Sequence, residues 1–400
     1  MLNQAAILVG GLGTRLGERT RSTPKPLLDV GGRPFLEHLL DEVTRYPGIT
    51  SIVLLAGYKA GQVAEFYADR TWRGARISVV TEPTPLGTGG ALKFAADVLE
   101  PRFLLLNGDS YFDFNFLDLV VDAGRNGASL TMALKRDHPG DRYGRVDVDG
   151  GRVTRFLPAG PGTSGPINAG VYCAGRGILE LIDEAPCSLE QSVFPRLAAA
   201  GQLGARLYDG YFIDIGVPTD LERAGADFGS RRRPAVFFDR DGVLNEDKGY
   251  VYRREDFAWI DGAAEAVKLC NDLGYYTFVV TNQAGVARGF YSEEDVRRLH
   301  AWMNAELARH GAHIDAFQYC PFHEAGVVDA YRRASDRRKP APGMLLDCVA
   351  DWPVDTSRSL MVGDKTIDMD AAAAAGITGH LFDGGNLSAF LTPLLSRDGI

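Results

Sequence analysis

Cysteine is scarce in this chain: five residues in 400, at positions 173, 187, 270, 320 and 348. The number is odd and the spacing forms no disulfide framework, which suits a reducing, cytoplasmic compartment. Long apolar runs are missing too. No stretch approaches the ~18 uninterrupted apolar residues of a membrane-crossing helix, and the N-terminus lacks the basic-then-apolar pattern of a secretory leader. Positive charge is not in excess. Lys and Arg number 43 against 52 Asp and Glu, a net charge of -9, whereas a nucleic-acid binder would leave a basic footprint. The histidines at 38, 138, 300, 310, 313 and 380 form no cluster and suggest no chemistry.

What remains is an ordinary soluble composition, 45% hydrophobic and 24% charged, in a chain long enough for two or three domains. Gly229-Ser230-Arg231-Arg232-Arg233-Pro234 has the makings of a joint. Gly and Ser flex, three like charges stay solvated and Pro breaks a helix. Ala235-Val236-Phe237-Phe238 then reads as a short buried strand ending at Asp239-Arg240-Asp241-Gly242. Two carboxylates at the carboxyl end of such a strand lie where an open α/β sheet does its chemistry. The expected organisation is a first domain over residues 1–228, a linker over 229–234 and a second domain over 235–400.

In the first half, Ala5 to Val9 reads as a buried parallel strand followed by the loop Gly10-Gly11-Leu12-Gly13-Thr14-Arg15-Leu16. Its glycines let backbone N–H groups close around an anion, and Arg15 adds a permanent charge. It is neither a dinucleotide fingerprint, since Leu16 fills the third glycine position, nor a Walker A loop. Pro24-Lys25-Pro26 presents one ammonium group from a stiff, extended segment. Helix is expected around Pro34 to Arg45, strands over Ser51 to Ala56 and Ile77 to Val80. Glu82-Pro83-Thr84-Pro85-Leu86-Gly87-Thr88-Gly89-Gly90 forms a second Gly-rich loop opening a helix near Ala91 to Leu99, a place where a flat base can approach the backbone. Asp109 ends the strand Phe103 to Leu106 as a natural Mg²⁺ ligand, and Asp214 in Tyr211-Phe212-Ile213-Asp214-Ile215-Gly216 offers a second carboxylate.

GGLGTRL followed by PKPLL resembles the signature of the sugar-1-phosphate nucleotidyltransferases. The resemblance covers roughly residues 3 to 228 and includes Asp141-Arg142-Tyr143-Gly144, Ile167-Asn168-Ala169-Gly170 and YFIDIGVP. It looks most like the D-glycero-D-manno-heptose 1-phosphate guanylyltransferase branch. It implies that Arg15 and Lys25 hold the triphosphate and the sugar phosphate, that Asp109 and Asp214 hold Mg²⁺, and that Gly144 and Asn168 face the sugar. It also puts Gly10, Gly11, Gly13, Thr14, Gly87 and Thr88 around the nucleotide. Glu82, where the family contacts the base, is a candidate reader of guanine, since a carboxylate can accept from N1–H and N2–H₂ together.

In the second half, Asp239 can attack phosphorus, and Asp241, on the same side of an extended backbone, can protonate the leaving oxygen and later deprotonate water. Further strands end at Thr281-Asn282-Gln283 and at Gly363-Asp364-Lys365, followed by Asp368; Arg338-Lys339-Pro340 precedes a helix. Thr281 can bind phosphate, Lys339 can neutralise phosphoryl oxygens, and Asp364 is the expected Mg²⁺ ligand. These motifs resemble the haloacid-dehalogenase phosphatases. DRDGVLN, GYVYRREDF, TNQAGVARG, RKPAPGML and VGDKTIDMDAA narrow this to D-glycero-D-manno-heptose 1,7-bisphosphate 7-phosphatases, with histidinol-phosphate phosphatases next. The resemblance puts Asn282, Gln283 and Arg338 among the phosphate and sugar contacts, and Asp239 and Asp241 with Asp364 at the metal. The stretch between the first two motifs leaves no room for a large cap, so substrate choice falls to loops around Gly249 to Glu255, Ala284 to Phe290 and Cys320 to Arg338. The family often holds a structural zinc in that last loop. Here Phe322, Ser335 and Arg337 stand at ligand positions, and Cys320 with His323 cannot complete four ligands, so no zinc is expected.

The two resemblances imply consecutive steps: two doubly wound open α/β sheets, the first Rossmann-like and the second dehalogenase-like. The chain would be a bifunctional, Mg²⁺-dependent cytoplasmic enzyme acting on heptose phosphates and GTP, with no nucleic-acid or membrane partner. A homo-oligomeric state is left open. The sugar would be the α anomer if the guanylyl branch holds. A mannose-type sugar, another nucleotide, a broader phosphatase, or one domain serving only regulation are the rival readings.

Overall fold

The computed structural model describes residues 2–139, 142–160 and 164–395. They form two compact units, Met1–Ser230 and Arg231–Ile400. The first is built on a mixed ten-stranded sheet whose middle is parallel. Gln4–Leu8 lies between Ser51–Ala56 on one side and Arg102–Asn107 on the other. This switch in strand order opens a crevice at the carboxyl ends, directly above the loop that follows Leu8. Ala75–Thr81 extends the parallel part. Ser164–Gly175 pairs antiparallel with Arg102–Asn107 and joins it to the outer strands.

Period-two alternation sends these strands into cores on both faces. Ala5, Ile7, Ile52, Leu54, Leu104 and Leu106 enter one, and Ala6, Val53, Leu55, Phe103 and Leu105 the other. The near-continuous apolar runs of the sequence follow from this two-sided burial.

The second unit is a five-stranded parallel sheet in the order Ala316–Cys320, Tyr276–Asn282, Ala235–Phe238, Leu360–Gly363, Thr378–Leu381. Ala235–Phe238, first in sequence, is central in space, so Asp239 emerges at the switch point. Val236 and Phe238 face one core, Ala235 and Phe237 the other.

Some expected local features differ. Gly229 and Ser230 belong to the helix Pro218–Ser230 instead of a flexible joint. Arg233 is buried: its N–H donates to the Pro353 carbonyl, its own carbonyl accepts from Asp355, and its guanidinium lies 5.5 Å from the Tyr276 ring. A ring and a strand-like pairing hold a charge that composition alone assigns to solvent. Lys25–Leu27 forms a 3₁₀ turn instead of an extended segment. Among the described residues no helix is long and apolar enough to cross a membrane.

Candidate active sites

In the first unit a cavity of about 390 Å³ opens above the parallel strands. Gly10, Gly11, Lys25, Glu82, Gly87, Thr88 and Asp109, all singled out in the sequence, line it together with Leu12, Asn107 and Glu190, which were not. Asp109 and Asp214, far apart in sequence, meet because Ser110–Phe112 pairs antiparallel with Phe212–Asp214 and the Ile215 N–H donates to the Asp109 carbonyl at 3.0 Å. The buried Lys25 ammonium lies 2.6 Å from Asp109 Oδ2 and 3.6 Å from Asp214 Oδ1. Burial and the nearby Asp109 push the Asp214 carboxyl upward; Lys25 and the Gly216 N–H, 2.6 Å away, act against the shift. Two carboxylates and no soft donor suit a hard divalent cation such as Mg²⁺.

Gly13 closes the first loop in the left-handed region (φ 64°), and a Cβ there would come within 2.8 Å of Thr20. Thr14 and Arg15 stand on the exposed turn beyond, outside the cavity wall. The second Gly-rich stretch is itself the first turn of a helix, Gly87–Phe94. Its donors are partly engaged: the N–H groups of Gly89 and Gly90 both bond the Cys187 carbonyl. That leaves less of the helix N-terminus for an anion than the sequence suggests. Glu82 Oε2 accepts from the Leu86 N–H at 2.9 Å, so Oε1 alone is unengaged. Glu190 accepts from Thr88 and Ser188, each at 2.9 Å, and braces the same turn.

Gly144 and Asn168 are not brought to the cavity wall. A Cβ on Gly144 would meet the Leu157 carbonyl at 2.6 Å, and Asn168 binds the Tyr172 hydroxyl and the Gly170 N–H, so both read as packing and bracing positions. Asp141 lies outside the described residues.

The second unit has a cavity of about 340 Å³ at the carboxyl ends of its sheet, lined by Asp239, Asp241, Thr281, Asn282, Gln283 and Lys339, with Asp247, Tyr250, Tyr291 and Lys365. Lys339 lies 2.9 Å from Asp239 and 2.6 Å from Asp368. Burial raises the Asp239 carboxyl to about 6; Lys339 pulls it down, Asp368 pushes it up. Asp239, Asp364 and Asp368 are, among the described residues, the one group of three or more metal-ligating side chains close enough to hold an ion. Asp364 Oδ1 is buried with no hydrogen-bond partner in the chain, as an oxygen reserved for a cation would be. Asp368 is therefore the carboxylate that sequence reasoning did not place at the metal; its signal was its spacing, one helical turn beyond Asp364.

Asp241, expected at the metal, instead turns its carboxylate toward Arg240, Asn245 and Gln283. The guanidinium of Arg240 is fully buried beneath it. Gln283 also receives the Tyr291 hydroxyl at 2.7 Å and donates to Thr281 at 2.9 Å. Asn282 and the Lys339 backbone exchange two hydrogen bonds, of 3.0 and 3.1 Å. Both side chains thus position the catalytic groups before they could touch a substrate. Arg338 is half-buried and outside the cavity wall, donating weakly to the Phe322 carbonyl. At the positions where the resembling family often holds zinc, the Cys320 thiol faces the Phe322 carbonyl and Arg337 pairs with Asp347 and Gln318.

These two sites define two enzymes in one chain, a nucleotidyltransferase and a phosphatase. The nucleotidyl transferase family model matches residues 4–230 and a HAD-hydrolase-like model matches residues 336–391. The chain belongs to the nucleotidyl transferase family. Its second unit belongs with the heptose-bisphosphate phosphatases: it is 51% identical to D-glycero-beta-D-manno-heptose-1,7-bisphosphate 7-phosphatase of Rhodopseudomonas palustris, over 41% of this chain and 91% of that protein. It is 46% identical to the corresponding alpha-named phosphatase of Burkholderia mallei, over 36% of this chain and 76% of that protein. The first unit is similar to the crystal structure of HddC from Yersinia pseudotuberculosis complexed with GMP-PN, with 30% identity and a TM-score of 0.51, covering 57% of this chain and all of that one.

Proposed function

We propose that the chain carries out two consecutive steps of nucleotide-activated heptose synthesis, with its domain boundary within residues 229–234. The second unit hydrolyses D-glycero-D-manno-heptose 1,7-bisphosphate at C7. The Asp239 carboxylate attacks phosphorus and the O7–P bond breaks. Asp241 donates the proton that O7 takes up. Asp241 then removes a proton from water, which hydrolyses the aspartyl phosphate and releases inorganic phosphate. Lys339 neutralises the phosphoryl oxygens.

The first unit uses the resulting heptose 1-phosphate. A sugar-phosphate oxygen attacks the α-phosphorus of GTP in line and pyrophosphate leaves, with Lys25 balancing charge and Arg15 joining it only by swinging in from its exposed turn. Mg²⁺, held by Asp109 and Asp214 in one unit and by Asp239, Asp364 and Asp368 in the other, would supply charge neutralisation at both phosphoryl centres. The observation that supports the reading is that each half has its own cavity at the carboxyl ends of its sheet, lined by Lys25 and Asp109 in one and by Asp239, Asp241 and Lys339 in the other. The phosphatase relatives are named for either anomer, so we assign the choice to the first unit and take it to be α. No zinc is required.

The test is a reaction series: protein, Mg²⁺ and either anomer of the bisphosphate with GTP, ATP, UTP, CTP or dTTP, followed by mass spectrometry. GDP-heptose formed from the α anomer with GTP alone is expected. A different sugar nucleotide would revise the first unit's substrate. Phosphate release without any sugar nucleotide would remove the transferase assignment.

A further inference from the structure

The segment 321–338 joins the edge strand Ala316–Cys320 to Lys339 and contains only one 3₁₀ turn, Asp329–Tyr331. None of its residues lines the phosphatase cavity; it reaches that cavity through its neighbours. The N–H groups of Val327 and Val328 both donate to the Ala287 carbonyl, at 2.8 and 3.0 Å, and so tie it to the segment that continues from the cavity-lining Ala284. A long irregular segment needs side-chain anchors, because no strand or helix fixes it.

One such anchor is a carboxylate that holds two points of the chain. Glu293 Oε2 accepts from the Tyr319 hydroxyl at 2.6 Å, and Glu293 Oε1 accepts from the Tyr331 hydroxyl at 2.8 Å. Tyr319 precedes the segment and Tyr331 lies inside it, so Glu293 clasps both sides. Glu293 is itself fixed as the first residue of the helix Glu293–Arg309, which Ser292 and Asp295 cap reciprocally. Below the clasp, Tyr252, Tyr319 and Tyr331 pack on Val286, Tyr291 and Val296. Tyr291 carries the contact inward, to Gln283 and from there to Asp241.

We propose that Glu293, through Tyr319 and Tyr331, is a positioning residue for substrate selection by the phosphatase. It holds 321–338 against the Ala284 to Phe290 segment and keeps Tyr319 and Tyr331 packed with Tyr291, so that Tyr291 is fixed in the cavity wall before a sugar bisphosphate arrives. The proposal rests on the phosphatase reading of this site.

Two variants test it, Glu293→Ala and the pair Tyr319→Phe with Tyr331→Phe. Arg332 and Arg333 are exposed within the segment and offer trypsin a direct readout. Cleavage there is expected to rise by at least about tenfold in both variants, since each removes both hydrogen bonds to the charged acceptor. The KM for heptose 1,7-bisphosphate is expected to rise by a similar factor, with kcat and the turnover of p-nitrophenyl phosphate within about twofold of the parent. Unchanged cleavage and unchanged KM would overturn the proposal. So would a parallel loss of p-nitrophenyl phosphate turnover, which would make the clasp a general support of the unit. If the parent protein does not prefer the heptose bisphosphate over p-nitrophenyl phosphate, the substrate reading fails, and the cleavage rates still decide whether the clasp holds the segment.

Discussion

The two sites place their carboxylates by different means. In the second unit Asp239, Thr281 and Asp364 all lie at the carboxyl ends of adjacent parallel strands. Short motifs therefore carry most of the geometry. In the first unit only Asp109 follows a central strand. Asp214 reaches it through a separate two-stranded pairing, and the Lys25 ammonium binds both. One site is a property of a sheet edge, the other of a long-range closure. The first should tolerate changes outside its sheet; the second should be sensitive to anything that moves the strand Phe212–Asp214.

Single-site inactivation breaks the comparison most sharply. Asp239→Asn should lower phosphate release by on the order of 10³-fold or more and leave nucleotidyl transfer to supplied heptose 1-phosphate unchanged. Asp109→Asn should lower nucleotidyl transfer by about 10²- to 10³-fold and leave the phosphatase intact. Parallel measurement of phosphate and pyrophosphate checks both. A crossed effect would mean that the units are not independent catalysts.

Glu82→Gln is expected to act more mildly. Since one of its oxygens already holds the Leu86 N–H, the remaining oxygen can accept a single guanine donor. The preference for GTP over ATP should fall by roughly ten- to a hundredfold, read as the ratio of kcat/KM values. Unchanged preference would leave Glu82 with its turn-closing role alone.

The smallest effect concerns pH. Burial and the neighbouring Arg240 guanidinium hold the His300 pKa well below its usual value, so the folded unit keeps it neutral. The unfolded chain binds a proton there below about pH 6.5. Stability contributed by neutral His300 is therefore complete above that pH and declines as pH falls, by at most about 1.4 kcal/mol per pH unit. Denaturant melts of the second unit between pH 7 and 5 should show this slope, and His300→Gln should flatten it.

Most of the second site was legible because its residues sit at strand ends next to glycines. The family resemblance, not spacing, put Asp241 at the metal. The buried Arg240, an unlikely tenant of a sheet's interior by composition, draws its carboxylate away. In the first half, the Gly loops, Lys25 and both aspartates were readable. The engagement of Gly89 and Gly90 by Cys187, the bracing by Glu190 and the inward bonding of Asn168 were not, since each depends on a partner remote in sequence. The Glu293 clasp was hidden for the same reason. Its two tyrosines look like ordinary core aromatics until the fold puts one carboxylate between them.

The central claim is that two independent sites act in succession, and mixing the two inactive proteins tests it most directly. Asp239→Asn and Asp109→Asn, each alone, should fail to convert heptose 1,7-bisphosphate and GTP into GDP-heptose. Together, each supplying the other's missing step through free heptose 1-phosphate, they should form GDP-heptose with one phosphate and one pyrophosphate released per molecule. Mixed proteins that release phosphate yet make no GDP-heptose, while the Asp239→Asn protein alone converts heptose 1-phosphate, would contradict independent action in succession.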